Sequence, residues 1–206
     1  MTAVSRTAGR PLWVAARALL ACTLLLGVGY TALVTGIGQL LLPAQANGSL
    51  VAAASGEPVG SALIGQSFAA GDGAALPEYF QPRPSAAGAG YDGAASSGTN
   101  WGPEHPELVA AIAERRAEIA AREGVPEDAV PADAVTASAS GLDPHISPAY
   151  ARLQAARVAE ARGLPLAVVS ELVAARTEAP DLGVLGEARV NVLRLNLELD
   201  ELEETA

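Results

Sequence analysis

The feature that most constrains this chain is an apolar run near its N-terminus. From Ala18 to Leu42 the sequence has 25 residues and no charged side chain. As a helix rising about 1.5 Å per residue, the run would be about 37 Å long, enough to cross a hydrocarbon core of roughly 30 Å. Backbone groups in lipid must be hydrogen-bonded internally, so we expect a helix throughout, stopped by Pro43. The run predicts a transmembrane helix over 18–42.

Charged residues are distributed unevenly on the two sides of this run. The first 46 residues carry three arginines and no acid, whereas the remaining 160 carry ten arginines and all 23 acids, so the net charges are +3 and −13. The three arginines are Arg6, Arg10 and Arg17, and arginines next to a membrane helix are retained in the cytoplasm. We therefore predict a cytoplasmic tail over 1–17 and an extracytoplasmic domain over 47–206. The overall charge of −10 argues against a basic nucleic-acid binder.

A cleaved secretory signal is the alternative interpretation of the same N-terminus. The arginines, the apolar run and Ala44-Gln45-Ala46 resemble a signal peptide with an A-x-A cleavage site. Cleavage near Ala46 would release a free extracytoplasmic binding or hydrolytic domain. Signal peptides have apolar cores of about 7–15 residues, much shorter than this run, so the length favours an uncleaved anchor. Both interpretations place 47–206 outside.

Small residues form a stripe on the predicted membrane helix. Gly29 and Gly36 are seven positions apart, which places them on nearly the same face, and Ala32 lies close to that face. Small side chains allow two helix backbones to approach closely. The stripe predicts packing against a partner helix.

The region 47–206 shows signals for both strands and helices. Short β segments are expected within 49–66, and helical periodicity with capping residues predicts helices over 107–122, from Pro148 to Gly163 and from Pro165 to about Thr177. Residues 81–103, which lie between the β segments and the first of these helices, are rich in glycine and proline and predict a long loop. Leucines at 193, 195, 197 and 199 alternate with polar residues and predict a final strand. The expected fold is one mixed α+β domain.

Polar residues are concentrated in the segment from Thr136 to Ser147. A hydrolase would need Ser138 or Ser140 activated by His145, with Asp143 orienting the histidine. The G-x-S-x-G elbow that exposes such a nucleophile is absent, and Ser147-Pro148 is typical of a helix start. The chain has no lysine, which excludes a P-loop, and one cysteine, which excludes thiolate zinc sites. We expect an architectural and docking segment with no catalytic and no metal-binding residue.

Several motifs together resemble a known family. The blocks begin with Leu63-Ile64-Gly65-Gln66, are most specific over residues 135–147, and continue to Leu195-Asn196, in an order that covers the chain from the apolar run to about residue 200. They resemble the C subunit of the bacterial Kdp potassium-transporting P-type ATPase. The family usually has glycine where this chain has Ala139. The residues that carry the resemblance and that we expect to be docking or structural are Gln66, Arg83, Pro84, Ser85, Asn100, Ser138, Ser140, Gly141, Asp143, Pro144, His145, Ser147 and Asn191.

The resemblance implies an accessory subunit with one membrane span in the bacterial cytoplasmic membrane. Such a subunit neither hydrolyses ATP nor conducts ions, and it assembles with a channel-like potassium-binding subunit, an ATP-hydrolysing P-type subunit and a small single-helix subunit. The family is described as a catalytic chaperone that raises ATP affinity through a ternary complex with ATP, so ATP is implied as a family-level cofactor. Direct contact conflicts with the outside topology predicted from the arginines. An outer domain affects an inner site only by biasing a two-state element of the complex.

Overall fold

The computed structural model describes residues 9–204, with side chains up to residue 202. The chain forms two compact units, one ending at Ser49 and the other beginning at Leu50. Each unit has its own internal organisation.

The first unit is a long helix with exposed side chains. Among the described residues, one helix, Gly9–Leu41, is long and apolar enough to cross a membrane. The predicted helix over the apolar run is therefore present, and it breaks at Leu42, which leaves helical geometry immediately before Pro43. A methyl group at Gly36 would meet nothing within 4 Å, so this part of the helix surface is open. The segments are α1 (Gly9–Cys22), a π-helical stretch (Thr23–Tyr30), α2 (Thr31–Leu41) and a short α3 (Pro43–Ala46).

The second unit combines helices with two small antiparallel sheets, as the mixed fold class predicted. One sheet is the hairpin β1-β2, and the other has the order β3-β5-β4. Residues 62–105 contain no helix or strand apart from an isolated bridge between Ala69 and Ala75. The elements are β1 (Leu50–Ala52), β2 (Pro58–Ser61), α4 (Pro106–Glu123), a 3-10 turn (Glu127–Ala129), α5 (Ala132–Val135), β3 (His145–Ile146), α6 (Pro148–Arg162), α7 (Leu166–Ala175), β4 (Thr177–Glu178), β5 (Arg189–Asn191) and α8 (Val192–Glu204).

The predicted helix boundaries are confirmed by the cap geometry. The Ser147 hydroxyl accepts a hydrogen bond from the Tyr150 amide at 3.0 Å, which satisfies one free donor of the first turn of α6. Gly163 ends that helix in the left-handed conformation, with φ of +64°. Gly124 ends α4 in the same way. These local signals positioned both helices correctly from the sequence.

The core of the second unit is built around α6. Tyr150, Ala151, Gln154 and Val158 on this helix are almost completely buried. Tyr150, Ala151 and Val158 belong to one hydrophobic cluster with residues of α7, β5 and α8, including Val169, Val173, Val190, Leu195 and Leu199. Helix α6 therefore supports both the sheet and the polar segment that leads into its N-terminus.

The predicted strand over Leu193–Asp200 is wrong, because this segment lies within helix α8. Leu193, Leu195 and Leu199 are buried as expected, but Asn196 is also buried, which a strand with one apolar face would not allow. Leucine and glutamate are good helix formers and no residue from 193 to 200 is β-branched. The last described element of the domain is therefore a helix, and the strands of the three-stranded sheet lie between helices in the sequence.

The second of the β segments expected within 49–66, which the sequence predicts over Val59–Gly65, is shorter than expected. Strand β2 ends at Ser61, and the Ile64 amide donates to the Ser61 carbonyl in a turn. The Gly65 amide then donates to the Leu142 carbonyl at 2.8 Å, which connects this turn to the polar segment. A Cβ atom at Gly65 would lie only 2.7 Å from the Asp143 carbonyl oxygen, so the close approach requires glycine.

Candidate functional site

Asp143 organises the polar segment between α5 and α6. Its carboxylate accepts a hydrogen bond from the His145 amide at 3.0 Å and lies 3.3 Å from His145 Nδ1. The Arg83 guanidinium pairs with the other carboxylate oxygen at 3.1 Å. Arg83 also donates from Nε and Nη2 to the Thr136 carbonyl, both at 3.3 Å. Arg83 thus connects the long loop to both ends of the polar segment.

The electrostatic environment of Asp143 favours its charged form. Partial burial acts to raise the pKa of Asp143, but the hydrogen bonds from the His145 side chain and backbone, together with the charge of Arg83, outweigh it and lower the pKa below its ordinary value. The carboxylate is about 30% exposed, so solvent screens part of the attraction to Arg83. Asp143 is therefore an ionised structural anchor at neutral pH.

This pKa direction gives a prediction for the pH dependence of stability. A carboxyl group with a lowered folded-state pKa stabilises the fold above its unfolded pKa of about 4, and the contribution is lost as the pH falls through the folded-state value. We expect Asp143→Asn to lower the free energy of unfolding at neutral pH, and the difference from the wild type to shrink below about pH 4. Urea denaturation of the full chain in detergent measures this.

Asp72 provides the matched control for that titration. Its carboxylate accepts from the Ala74 amide in the same kind of turn, and it is exposed. Within the described residues Asp72 has no ion-pair partner. Asp72→Asn should therefore leave the stability almost unchanged at each pH. A difference between wild type and Asp143→Asn that is constant from neutral to acidic pH would contradict the assignment of an ionised, stabilising carboxylate.

Ser85 holds the long loop against the glycine of the polar segment. Its hydroxyl donates to the Gly141 carbonyl at 2.6 Å and accepts from the amides of Ala87 and Tyr91. The Tyr91 hydroxyl donates to the Arg83 carbonyl, and burial raises the pKa of Tyr91 above its ordinary value. Tyr91 therefore stays protonated as a donor. These contacts fix the backbone that carries Arg83.

Ser138 and Ser140 use their hydroxyls on their own segment. The two oxygens are 3.3 Å apart, and they accept from the amides of Asp143 and Leu142 respectively. In the part of the chain that the structure describes, neither serine is hydrogen-bonded to His145. The side chains that a hydrolase would need therefore lie in one region. Their hydrogen bonds stabilise the loop between α5 and α6, and they do not connect a serine to His145. These side chains are Ser138, Ser140, Asp143 and His145.

Ser147 and Pro144 complete the approach to α6. Besides capping the helix, Ser147 donates its hydroxyl and its amide to the two carboxylate oxygens of Asp133, at 2.8 and 2.6 Å. Pro144 is buried, and its carbonyl accepts from the Val192 amide at 3.0 Å. Asp133 was not singled out from the sequence. Asp133 lies fourteen positions before Ser147, so no local sequence pattern indicates that the two residues interact.

The remaining family-motif residues lie around this centre. The buried Asn191 pairs with His145 in the sheet, donates to the Ala62 carbonyl and accepts from the Arg194 amide at the start of α8. Gln66 packs against Gly60 of β2, where a Cβ atom would come within 2.5 Å of its side-chain oxygen. Asn100 is exposed, has φ of +55°, and lines a cavity of about 340 Å³ together with Ser138. Pro84 borders a smaller cavity beside Tyr91.

Two buried amide side chains were missed by the sequence analysis. The Phe80 amide donates to Asn196 Oδ1 and the Phe80 carbonyl accepts from Asn196 Nδ2, at 2.9 and 3.0 Å. Gln154 makes the same pair of bonds to Gln81, at 2.7 and 3.0 Å. Side chains from α8 and α6 thus satisfy an extended backbone that has no neighbouring strand. For Gln154 the sequence signal was a polar residue within the apolar face of a helix. Asn196 had no such signal, because its segment was predicted as a strand with Asn196 on the polar face.

A buried ionic cluster holds the segment before Arg83. The Glu123 carboxylate is fully buried and accepts from Arg122 at 2.8 Å and from Arg157 at 3.1 Å. Arg157 also donates to the Pro77 carbonyl, to the Tyr79 carbonyl and to the side chain of Gln154. The cluster therefore ties α4 and α6 to the chain that enters the site.

The resulting surface is a shallow polar and apolar face. A depression of about 560 Å³ is lined by Leu63, Arg83, Ser138, Asp143 and Pro144, among others. Leu63 and Ile64 beside it are exposed. Within the described residues no group of three His, Cys, Asp or Glu side chains is arranged to hold a metal ion. Chemically, this arrangement is suited to presenting a fixed surface to another protein.

Fold and site together define a chain in which an apolar helix long enough to cross a membrane precedes one mixed helix-and-strand domain with a polar face. The family model for the K+-transporting ATPase c chain, KdpC, matches residues 12–201. The chain belongs to the KdpC family. This membership confirms the resemblance drawn from the motifs, and the match includes most of the apolar helix.

Individual relatives are similar over most of their length. The potassium-transporting ATPase KdpC subunit of Gemmatimonas aurantiaca is 56% identical over 187 residues, 90% of this chain and 90% of the relative. That of Polaromonas naphthalenivorans is 56% identical over 182 residues, 88% and 89% of the two chains. That of Caulobacter vibrioides is 55% identical over 178 residues, 86% of each chain. None of these findings supports the alternative of a released domain.

Proposed function

We propose that this chain is a non-catalytic accessory subunit of an ATP-driven potassium uptake complex. The observation that carries the proposal is its similarity, over 86–90% of its length, to potassium-transporting ATPase KdpC subunits. Its partners are a channel-like potassium-binding subunit, an ATP-hydrolysing P-type subunit and a small single-helix subunit. It assembles with them, stabilises the complex and raises the ATP affinity of the hydrolysing subunit. The family-motif residues act in docking or in maintaining the docking face.

The rigidity of the polar face supports this role. Arg83, Asp143 and His145 are held by short contacts to one another and to the backbone. A fixed surface loses little conformational entropy when a partner binds. Coupling to the ATP site requires that this chain bind one conformation of the complex more tightly than another.

The ATP affinity of the whole complex tests the proposal. The complex is purified with and without this chain, and the KM for ATP is measured in potassium-dependent hydrolysis. We expect KM to rise several-fold without the chain, within the roughly 5–150-fold range of allosteric coupling. Equal KM and equal recovery of the other subunits in both preparations would overturn the proposed role. ATP hydrolysis by this chain alone would overturn its non-catalytic part.

The orientation is tested by labelling. We propose that 47–206 lies outside the cytoplasmic membrane and 1–17 inside, because Arg6, Arg10 and Arg17 are retained. Cys22 is the single native cysteine, so Ser96→Cys in a Cys22→Ala background gives one exposed thiol in the domain. A membrane-impermeant thiol reagent should label it in intact cells in which the outer envelope is permeable. Labelling that appears only after lysis would place the domain inside.

The glycine stripe gives a prediction for assembly within the membrane. We propose that Gly29, Ala32 and Gly36 face a partner helix, where Gly36→Leu would prevent close approach. We expect lower recovery of the complex with Gly36→Leu than with Val34→Leu, because Val34 lies two positions before Gly36 in α2 and therefore on the opposite side of the helix. Recovery is measured by co-purification from membranes. Equal recovery for the two variants would show that the stripe is incidental.

A further inference from the structure

A group of exposed apolar side chains projects from the hairpin between β4 and β5. Leu182, Val184 and Leu185, here called the apolar tip, have relative exposures of 90%, 80% and 58%. Leu182 is the most exposed large apolar residue of the described chain. An exposed apolar group on a soluble domain is typical of an interaction site. The tip lies outside the polar face around Asp143.

The hairpin holds the tip in a fixed conformation. The amide and carbonyl of Asp181 exchange hydrogen bonds with those of Leu185, both at 2.9 Å. The Gly183 amide donates to the Pro180 carbonyl at 2.9 Å within the same turn. Because the backbone is already ordered, binding through the tip requires little further loss of conformational entropy.

Leu182 adopts an unfavourable backbone conformation without an internal contact that compensates for it. Its φ is +54°, in the left-handed region, which is unfavourable for any residue with a Cβ atom. Glycine or asparagine would adopt this conformation more easily. The leucine side chain is almost fully exposed, so burial within the domain does not offset this cost. Strain of this kind is characteristic of functional positions.

Acidic side chains surround the base of the tip. Glu178 and Asp181 both contact Arg189, at 3.0 and 3.4 Å, and Glu187 is exposed nearby in sequence. Residues 179–188 contain no basic and no aromatic residue. Segments that insert into a lipid surface usually combine apolar side chains with basic and aromatic ones. The charge pattern therefore favours a protein pocket with a basic rim over a bilayer surface.

We propose that the apolar tip inserts into an apolar pocket on another subunit of the potassium uptake complex. Basic side chains at the rim of that pocket face Asp181 and Glu187. Leu182 and Val184 are the anchoring side chains, and Arg189 holds Asp181 beside them. This inference rests on the proposed function, since the pocket belongs to a partner in the assembly.

The first test removes the apolar surface while retaining the turn. Leu182→Asn combined with Val184→Ser keeps a residue that tolerates positive φ and removes two anchors. Burial of two such side chains corresponds to at least about a tenfold change in affinity, so co-purification of the other subunits should fall by about this factor. Val109→Ser is the control, because Val109 on α4 is 54% exposed and also apolar. In detergent, Val109→Ser should unfold at the wild-type temperature, and the double variant should unfold at that temperature or slightly above it, because asparagine tolerates the positive φ at position 182.

The second test identifies what covers the tip. Leu182→Cys in a Cys22→Ala background is labelled with a photoactivatable maleimide in native membranes and irradiated. We expect a crosslinked adduct with the mass of a second subunit. An adduct with lipid alone, or reaction with solvent alone, would overturn the proposed pocket.

The outcomes separate this inference from the proposed function. If the wild-type chain co-purifies with the other subunits and the double variant does so equally well, the tip is not an anchor and the accessory role stands. If the wild-type chain does not co-purify with any of them, both proposals fail. Loss of co-purification for Val109→Ser as well as for the double variant would overturn the assignment of a specific anchor.

Discussion

Replacing Arg157 by methionine should lower the free energy of unfolding of the chain by about 3 kcal/mol, because it leaves a buried charge with one partner fewer. The Glu123 carboxylate is fully buried and receives hydrogen bonds from Arg157 and Arg122. The same substitution removes one of two donors to the Tyr79 carbonyl and one of two donors to Gln154 Oε1, and Gln81 supplies the donor that remains in each case. Urea denaturation of the full chain in detergent, followed by circular dichroism, measures the loss.

Arg152→Met is the matched control for this experiment. Arg152 lies on the same helix α6, but its side chain is exposed and makes no hydrogen bond or ion pair among the described contacts. Its replacement should change the stability by less than about 0.5 kcal/mol. A similar loss in both variants would mean that helix propensity or net charge, and not the buried cluster, determines the effect. Glu123→Gln combined with Arg157→Met should recover part of the loss, since no buried carboxylate remains and the Arg122 side chain, which is 22% exposed, keeps access to water.

Gly141→Ala should be the most destabilising small substitution in the polar segment, with a loss of about 3 kcal/mol or more. Gly141 has φ of +69°, which disfavours alanine. An added Cβ atom would lie 2.6 Å from the Ser97 carbonyl oxygen and 2.8 Å from the Ala87 amide nitrogen. Both neighbours are backbone atoms of the long loop, so the loop itself must move. Differential scanning calorimetry of the full chain in detergent measures the change.

Gly163→Ala separates the two causes of the destabilisation expected for Gly141→Ala, which are the positive φ and the close contact with backbone atoms of the long loop. Gly163 ends α6 with φ of +64°, but a Cβ atom there would meet nothing within 4 Å. Its replacement should lower the free energy of unfolding only by the cost of placing alanine at positive φ, about 1 kcal/mol. If Gly141→Ala and Gly163→Ala have equal effects, the close approach of the loop to Gly141 contributes nothing. If the prediction holds, Gly141→Ala should also displace Ser85 and Arg83, and recovery of the complex should fall with stability.

The sequence predicted helices well where capping was local. Ser147-Pro148 and Gly163 marked both ends of α6, and Gly124 marked the end of α4, because capping bonds join residues three or four positions apart. It failed over Leu193–Asp200. Alternating leucines fit one face of a strand, but they also fit a helix that is buried over a wide surface, and the buried Asn196 distinguishes the two only in the folded protein.

The polar residues of the site could be found from the sequence, but their partners could not. Arg83 and Asp143 are 60 positions apart, and Glu123 and Arg157 are 34 apart. No periodicity connects such residues, and their pairing depends on which helix faces meet. The motif blocks identified Arg83, Ser85, Gly141 and Asp143 as important without showing that they contact one another. Neither Asp133 nor the amide pairs of Gln154 and Asn196 had a signal strong enough to single them out.

The sequence by itself determined the apolar helix, the ends of α4 and α6 and the family to which the chain belongs, since each depends on neighbouring residues or on motif order. Only the tertiary structure decided that the last segment is a helix, that side-chain amides satisfy the extended backbone at Phe80 and Gln81, and that Arg83 meets Asp143. The physical reason is that buried polar groups must find partners wherever packing places them, and packing joins residues that are far apart in the chain.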